Sequence, residues 1–221
     1  MPRKPRITIP GLPHHVTHRG TRRQRIFFGE NDFHLYKTLL SETCNKYDVN
    51  IWAYCLMPNH VHLIAIPSNE SGLSKVIGIT HKRYADLINK RMDWRGHLWE
   101  DRHRSVPMDE PHLYAAARYV ELNPVRARLT DTPMQYQWSS ARAHMNARSD
   151  GLVSVEPLLD RYGDWRRYLN LGLDESLVER IRQHDKLGLP LGDENFIAFL
   201  ETKIGRCLRP VKPGPKSIST K

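Results

Sequence analysis

The chain has 221 residues and a formal net charge of +10, with 34 lysine and arginine residues against 24 acidic residues. This length allows one folded domain with an appendage, and the charge favours a polyanionic partner, nucleic acid ahead of an anionic membrane surface. No apolar run approaches the roughly 20 residues that span a bilayer, and no apolar signal segment follows Met1. Cys44, Cys55 and Cys207 are scattered, so the sequence predicts reduced thiols in a soluble, cytoplasmic, nucleoid-associated protein.

The first 29 residues contain no acidic side chain. A loop over Pro10–Gly20 is expected to lead into the first strand. Four arginines cluster around the turn that follows: Arg19, Arg22, Arg23 and Arg25. They are either a solvated basic hairpin or an edge that contacts phosphate, and the unbroken positive charge favours the phosphate-contacting edge.

Two helix–strand units follow along the chain. Acidic residues mark a helix start at Glu30, a strand is predicted over Asn50–Leu56, and a turn leads into a second strand of a hairpin. A second amphipathic helix begins at Ser71, and a last strand is predicted over His97–Val106. This β-α-β-β-α-β order predicts an α+β fold, a ferredoxin-like antiparallel sheet with both helices on one face. The other face would be free to carry a site.

The second hairpin strand begins with His60-Val61-His62. Residues two apart in a strand project from the same face, about 6.6 Å apart along the strand. Two neutral imidazoles so placed can chelate one divalent cation and leave coordination positions open. A lone pair of this kind can equally be two polar surface residues, so a third ligand and a nucleophile decide between the interpretations.

A third helix is expected to cover the histidine face. Asp109-Glu110-Pro111 is typical of a helix start, and Pro124 is expected to end or kink the helix. Tyr119 and Asn123 are four residues apart and share one face, which offers a phenol and an amide carbonyl beside the histidines. Tyr114 lies well round the helix and is the alternative nucleophile, although a core tyrosine is its favoured interpretation.

A metal site beside a tyrosine suggests transesterification of a phosphodiester. The metal would stabilise charge on the scissile phosphate, and the tyrosine hydroxyl would attack phosphorus to form a covalent phosphotyrosine. Such an intermediate keeps the bond energy for rejoining without a nucleotide cofactor. One tyrosine handles one strand at a time, which suits single-stranded nucleic acid.

Several motifs resemble a known family and occur in its order. Met57-Pro-Asn-His60-Val-His62-Leu-Ile resembles the histidine–hydrophobic–histidine (HUH) motif of single-tyrosine transposases, and Arg118-Tyr119-Val-Glu-Leu-Asn123-Pro-Val-Arg126-Ala resembles their nucleophile helix. Supporting segments are His15–Gly20, Gly96–Arg102 and Tyr136–Ser140. The combination is similar to the REP-associated tyrosine transposases, domesticated bacterial relatives of insertion-sequence transposases, from about Pro10 to Ala143 and more loosely over Leu189–Arg206.

The resemblance implies that Tyr119 is the nucleophile, that His60 and His62 bind the metal, and that Asn123 is a third ligand. It implies Mg²⁺ or Mn²⁺, a 5′-phosphotyrosine, and nicking and rejoining of single-stranded DNA at palindromic repeat (REP) hairpins. Magnesium normally takes oxygen ligands, so two histidines by themselves favour Mn²⁺ or Zn²⁺. Asn123 could instead be a helix-terminating residue before Pro124. A monomer is implied, with a homodimer as the alternative.

The sequence divides on this reading into three parts. These are an HUH domain over residues 1–145, a helical extension over 146–208 that contains helices over Asp174–Leu187 and Asp193–Leu208, and a basic proline-rich tail over 209–221. Residues expected to contact DNA are taken from charge clusters: Arg19, Arg22, Arg23, Arg25, Lys82, Arg83, Arg102, Arg104, Arg126, Arg128, Lys212 and Lys216. The remaining histidines are expected at the surface or facing DNA, and a separate metal patch of His14, His15 and His18 is disfavoured.

Two other classes of protein compete with this interpretation. The first is a non-catalytic nucleic-acid-binding protein on the same sheet, but an RNA-binding domain would carry aromatic residues where this chain has histidines. The second is a metal-dependent amidohydrolase with a His-x-His strand. That fold needs a barrel of about 250 residues, and this chain is shorter and strongly basic.

Overall fold

The computed structural model describes residues 6–209, and this range forms one four-stranded sheet. The strands are β1 (His14–Arg19), β2 (Val49–Met57), β3 (His60–Pro67) and β4 (Arg104–Pro107), all antiparallel in the order β2-β3-β1-β4. Helix α1 (Glu30–Tyr47) connects β1 to β2, and α2 (Gly72–Met92) connects β3 to β4. This is the ferredoxin-like β-α-β-β-α-β arrangement, so the predicted fold class is confirmed.

The two faces of the sheet have different covers. His18 and Thr17 are neighbours in β1 and therefore point to opposite faces. His18 hydrogen-bonds His81 of α2 (Nδ1–Nδ1 2.6 Å), and His81 hydrogen-bonds the Tyr36 hydroxyl of α1 (2.7 Å), so both helices cover the His18 face. Thr17 stands opposite His62 in the register of β1 and β3. His62 therefore faces away from α1 and α2, as predicted.

The main hydrophobic core lies between the sheet and these two helices. Val16, Val61 and Leu63 of the sheet are fully buried there, together with Leu40 of α1 and Tyr84 of α2. Burying side chains of this size is worth about 1.5–3 kcal/mol each. The core thus holds β1 and β3 in register, and that register positions the histidines on the opposite face.

Helix α3 (Glu110–Arg126) packs against β2 and β3 on the histidine face. The side chain of Asp109 caps it by accepting a hydrogen bond from the His112 N–H (3.0 Å). The sequence predicted that Pro124 ends or kinks the helix. It does not end the helix, which continues to Arg126. Proline removes one helical N–H donor and crowds the preceding turn, but the Asn123 carbonyl still accepts a hydrogen bond from the Ala127 N–H (2.9 Å).

The strand predicted over His97–Val106 is mostly wrong. Only Arg104–Pro107 is a strand, and the segment before it is irregular. Asp101 has a φ of 34°, which is incompatible with extended backbone. The chain therefore turns before it enters β4, and the residues of the turn lie beside the open face of the sheet.

The rest of the described chain is helical. It contains α4 (Ala141–Met145), α5 (Glu156–Tyr162), α6 (Trp165–Asn170), α7 (Glu175–Leu187) and α8 (Glu194–Ile204). Helix α7 agrees with the predicted span because Asp174 is its cap, whereas α8 ends before Leu208 at Gly205, which has a φ of 65°. Helices α6 and α7 pack against α3, and no helix within residues 6–209 is long and apolar enough to cross a membrane.

Candidate active site

A cavity of about 740 Å³ opens on the face of the sheet that α3 covers. It is lined by the four residues that the sequence predicted to act together: His60 and His62 at the start of β3, and Tyr119 and Asn123 of α3. The two histidine rings are 4.9 Å apart between centroids. The Tyr119 ring stands edge-on to the His62 ring at 5.7 Å.

Both histidines of this pair are neutral at neutral pH. Burial, with a smaller effect of Arg19, lowers the pKa of His60 to about 4. Burial also lowers the pKa of His62 well below its usual value, and the neighbouring His60 and His15 lower it further. A neutral imidazole keeps one lone pair that can bind a metal ion.

Hydrogen bonds determine which nitrogen carries that lone pair. The Nδ1 atom of His60 lies 2.6 Å from Oδ1 of Asn59, whose amide nitrogen donates to the Arg23 carbonyl (3.0 Å). Since an amide oxygen only accepts, Nδ1 of His60 carries the proton and Nε2 keeps the lone pair. The Nδ1 atom of His62 lies 3.0 Å from Nε2 of His15. Metal-binding histidines are commonly oriented by such contacts.

His15 is a site residue that the sequence analysis missed. It was expected at the surface or facing DNA, but it is buried, stacked on His62, and 6.2 Å from the Tyr119 ring between centroids. The alternation of β1 could have placed it on this face, because His15 is two residues from Thr17. It was missed because Pro10–Gly20 was expected to be a loop before the first strand, whereas His14–Arg19 within it is β1 itself.

Other histidines are also buried rather than at the surface. His14 accepts a hydrogen bond from the Ile9 N–H (3.2 Å) and donates to the Leu12 carbonyl (2.8 Å). His81, His103 and His144 are likewise buried. The expectation for these four is therefore wrong, because each lies in the interior of the fold rather than at its surface. His14 and His18 lie on the opposite face of the sheet from His15, so these three side chains do not point to one place.

One feature of Asn123 is relevant to a ligand in this cavity. The amide nitrogen of Asn123 is buried without a hydrogen-bond partner, so this amide is available for a ligand. Within residues 6–209, no three His, Cys, Asp or Glu side chains are placed to hold a metal. The imidazoles of His60 and His62 and the side chain of Asn123 line the cavity together.

Tyr114 does not line this cavity. Its hydroxyl donates to Glu110 (3.4 Å), and its ring packs against Tyr162 with the centroids 5.0 Å apart. Tyr114 is therefore a packing residue on another side of α3, and Tyr119 is the tyrosine beside the histidines. A second side chain that the sequence analysis missed, Arg182 of α7, lines the same cavity as Tyr119 and interacts with its side chain.

Basic side chains dominate the cavity wall. Five of the predicted DNA-contacting residues line it: Arg19, Arg23, Arg102, Arg104 and Arg126. Arg182 and Lys186 add two more positive charges, against the acidic Glu100, Asp101 and Asp185. The excess of positive charge suits a ligand that carries phosphates.

The other predicted DNA-contacting residues lie elsewhere. Arg22 and Arg25 are exposed in the segment after β1. Lys82 and Arg83 are on α2, on the opposite side of the sheet, and each is paired with an acidic side chain. Arg128 follows α3 and lines a separate surface pocket. Lys212 and Lys216 lie outside the described residues.

Comparison with known proteins gives the family of this chain. A ferredoxin-like sheet with a basic cavity is a suitable frame for a protein that processes nucleic acid. Residues 8–123, just over half of the chain, match the sequence model of the IS200-like transposases. The chain therefore belongs to the IS200-like transposase family, and its role is transposase-like DNA processing. The family predicted from the motifs is confirmed at this level.

Two solved structures are similar to the chain, and the first of them shows the same fold. One is a REP-associated tyrosine transposase bound to a REP hairpin, with a TM-score of 0.57 and 16% identity over 70% of this chain and 89% of that chain. Another is a candidate transposase from Deinococcus radiodurans R1, with a TM-score of 0.38 and 19% identity over 57% of this chain and 92% of that chain. No curated protein matches the chain.

Proposed function

We propose that this protein is a metal-dependent, single-tyrosine HUH nuclease that nicks and rejoins single-stranded DNA through a covalent 5′-phosphotyrosine. The observation that carries the proposal is the joint placement of His60, His62, Tyr119 and Asn123 around one basic cavity. Each of these side chains has a distinct role in the transesterification, and the family assignment supports a DNA substrate.

Tyr119 is the nucleophile of the proposed reaction. Its hydroxyl oxygen attacks the scissile phosphorus, and the bond from phosphorus to the 3′-oxygen breaks. The released strand leaves as a 3′-hydroxyl that takes up the proton, while the 5′-phosphate remains on Tyr119. Attack by a 3′-hydroxyl on the phosphotyrosine reverses the step and restores the phosphodiester, so rejoining needs no nucleotide.

His60, His62 and Asn123 would hold a divalent metal, Mg²⁺ or Mn²⁺. When bound, the metal supplies electrostatic stabilisation of the phosphate oxygens. The hydrogen bonds of His60 to Asn59 and of His62 to His15 fix the two rings before any ligand arrives. Two imidazole ligands suit Mn²⁺ better than Mg²⁺, so Mn²⁺ is the ion to use first.

The proposed substrate is a single-stranded DNA hairpin. The basic cavity wall supports a phosphate-rich ligand, and the structurally similar REP-associated transposase is bound to a REP hairpin. The motifs quoted above resemble those of the REP-associated group, which supports this substrate. Because the metal-binding and nucleophilic residues come from one chain, the proposed enzyme can act as a monomer. The extension after residue 145 belongs to it, since α7 forms part of the cavity wall.

The test is formation of a covalent protein–DNA adduct. Purified protein is incubated with labelled single-stranded hairpin DNA and Mn²⁺, and the products are separated on a denaturing gel. We expect an adduct from the wild type that is absent with Tyr119→Phe and with EDTA, and that persists with the control Tyr114→Phe. An adduct that survives Tyr119→Phe would assign another nucleophile. Binding without any adduct would support a non-catalytic DNA-binding protein.

A further inference from the structure

One wall of the cavity comes from outside the residues that match the family. Arg182, Asp185 and Lys186 belong to α7 and line the same cavity as Tyr119, whereas the family match ends at residue 123. Helix α7 also packs against β4 and α3. The C-terminal extension is therefore positioned to take part in the reaction.

Helix α7 is anchored at both ends of its cavity face. Near its end, the Thr17 hydroxyl donates to both carboxylate oxygens of Asp185 (2.8 and 2.9 Å). At its start, Arg126 of α3 pairs with Glu175 (2.7 Å). Val178 and Ile181 between them are buried. Packing thus fixes the position of this helix relative to the nucleophile.

Arg182 is distinguished among the arginines of the cavity by its interaction with Tyr119. Arg182 and Tyr119 line the same cavity, and interaction with the Tyr119 side chain raises the pKa of Arg182. Arg126 is paired with Glu175, and Arg104 lies 3.9 Å from Asp185. In the described part of the chain, Arg182 has no carboxylate within ion-pair distance. Its positive charge is therefore available to a substrate.

We infer that Arg182 is a catalytic residue that binds a non-bridging oxygen of the scissile phosphate beside the Tyr119 hydroxyl. A guanidinium has five N–H donors in a planar fork, so one can contact Tyr119 while others reach a phosphate oxygen. This inference rests on the proposed function, because it needs Tyr119 as the nucleophile.

The role of Arg182 follows from the charge that develops during the step. The bond from Tyr119 to phosphorus forms, the bond from phosphorus to the 3′-oxygen breaks, and the phenol proton ends on the released 3′-hydroxyl. Negative charge on the non-bridging oxygens is stabilised by the fixed guanidinium, which stays protonated throughout. Loss of one such donor typically slows a reaction about 100- to 1,000-fold.

The first experiment measures the rate of adduct formation at saturating DNA and Mn²⁺. We expect Arg182→Gln to slow the reaction by about 100-fold or more, and Arg182→Lys to recover part of the rate because it keeps the charge. The matched control is Arg180→Gln on the same helix, because Arg180 contacts His112 (3.1 Å) and does not line the cavity. Thermal melts check that the variants are folded. A rate for Arg182→Gln within threefold of the wild type would overturn the inference.

A second experiment separates phosphate contact from mere positioning of Tyr119. Each non-bridging oxygen of the scissile phosphate is replaced in turn by sulfur, in the wild type and in Arg182→Gln. At the oxygen that Arg182 binds, sulfur should slow the wild type but add little to the defect of the variant. If, for both sulfur isomers, sulfur slows Arg182→Gln by the same factor as it slows the wild type, the two changes act independently. That result would overturn the contact between Arg182 and the phosphate.

Binding without catalysis gives an independent readout. In the Tyr119→Phe background with EDTA, Arg182→Gln should weaken binding of the hairpin DNA and reduce the salt dependence by about one charge. Unchanged binding and salt dependence would contradict the phosphate contact. If the wild type forms no Tyr119-dependent adduct, the proposed function fails. If it does but Arg182→Gln matches it, only the inference about Arg182 fails.

Discussion

The Nε2 atom of His15 lies 3.0 Å from the Nδ1 atom of His62, and the two rings are stacked with centroids 5.2 Å apart and planes 5° from parallel. His15 is in β1 and His62 in β3, so the contact joins two paired strands directly beneath the cavity. If His62 donates its Nδ1 proton to His15, its Nε2 lone pair is free to bind a metal. A buried neighbour thus sets the tautomer of a candidate ligand.

The first prediction concerns this contact. His15→Ala should lower the affinity for Mn²⁺ by about 10- to 100-fold, because the His62 ring loses the partner that orients it. The measurement is Mn²⁺ binding by electron paramagnetic resonance without DNA, together with the Mn²⁺ dependence of adduct formation. His34→Ala is the control, since His34 is exposed on α1. Equal Mn²⁺ affinities in both variants would show that His15 does not support the ligand.

The second prediction is a pH dependence of stability that comes from His14. Its Nδ1 donates to the Leu12 carbonyl and its Nε2 accepts from the Ile9 N–H, so the folded protein has no place for a second ring proton. Burial lowers the pKa of His14 to about 4, although the hydrogen bond to Leu12 opposes this shift. The unfolded chain, with an ordinary histidine pKa near 6.5, binds the proton first as the pH falls.

This difference determines the sign of the effect. The contribution of His14 to stability is fully present above pH 6.5 and is lost as the pH falls towards 4, by at most about 1.4 kcal/mol per pH unit. Residue 14 cannot titrate in His14→Gln. The amount by which the unfolding free energy of the wild type exceeds that of His14→Gln should therefore fall by about 2 kcal/mol from pH 7 to pH 5. Urea denaturation at both pH values tests this. A constant deficit would show that His14 is not held neutral.

The sequence predicted those features that depend on local periodicity. The strand period of two placed His60 and His62 on one face, and the helical spacing of four placed Tyr119 and Asn123 together. The acidic cap at Asp109 correctly marked the start of α3. Each of these predictions uses residues within a few positions of each other.

The features that the sequence did not predict depend on contacts between distant segments. His15 joins the site through the pairing of β1 with β3, and Arg182 reaches it from a helix more than sixty residues after Tyr119. The positive φ of Asp101, which precedes the late start of β4 at Arg104, is tolerated by Asp better than by most residues but is not required by it. Buried histidines such as His81 looked like surface residues, because their partners lie elsewhere in the chain.

The third prediction concerns the buried carboxylate of Glu121, two residues after the nucleophile. One of its oxygens accepts hydrogen bonds from Ser140 (2.5 Å) and His144 (2.6 Å), and the other accepts from Trp165 (2.6 Å). These contacts join α3 to α4 and α6. Glu121→Ala leaves three buried donors without their partner and should lower the unfolding free energy by about 3–5 kcal/mol.

Chemical denaturation of purified variants checks the Glu121 prediction. Glu110→Ala is the control on the same helix, because Glu110 is exposed and its contact with Arg161 is long (3.6 Å). That substitution should cost less than about 1 kcal/mol. A loss of similar size in both variants would mean that the buried network contributes little. Adduct formation should fall only in Glu121→Ala, as the segment carrying Tyr119 loses its anchor.

The fourth prediction concerns Arg22, an exposed residue between β1 and α1. It does not line the cavity, but its neighbour Arg23 does, and the surrounding segment contains no acidic residue. We propose that Arg22 contacts a phosphate of DNA that extends beyond the cavity. Each phosphate contact steepens the dependence of log affinity on log salt concentration by about one. Arg22→Ala should therefore weaken binding of hairpin DNA and reduce the slope by about one.

Arg167→Ala removes the same charge from an exposed site on α6 outside the cavity wall and should leave the slope unchanged. If Arg22→Ala and Arg167→Ala give the same slope, only the net charge of the protein matters at that position, and Arg22 has no direct contact with the DNA.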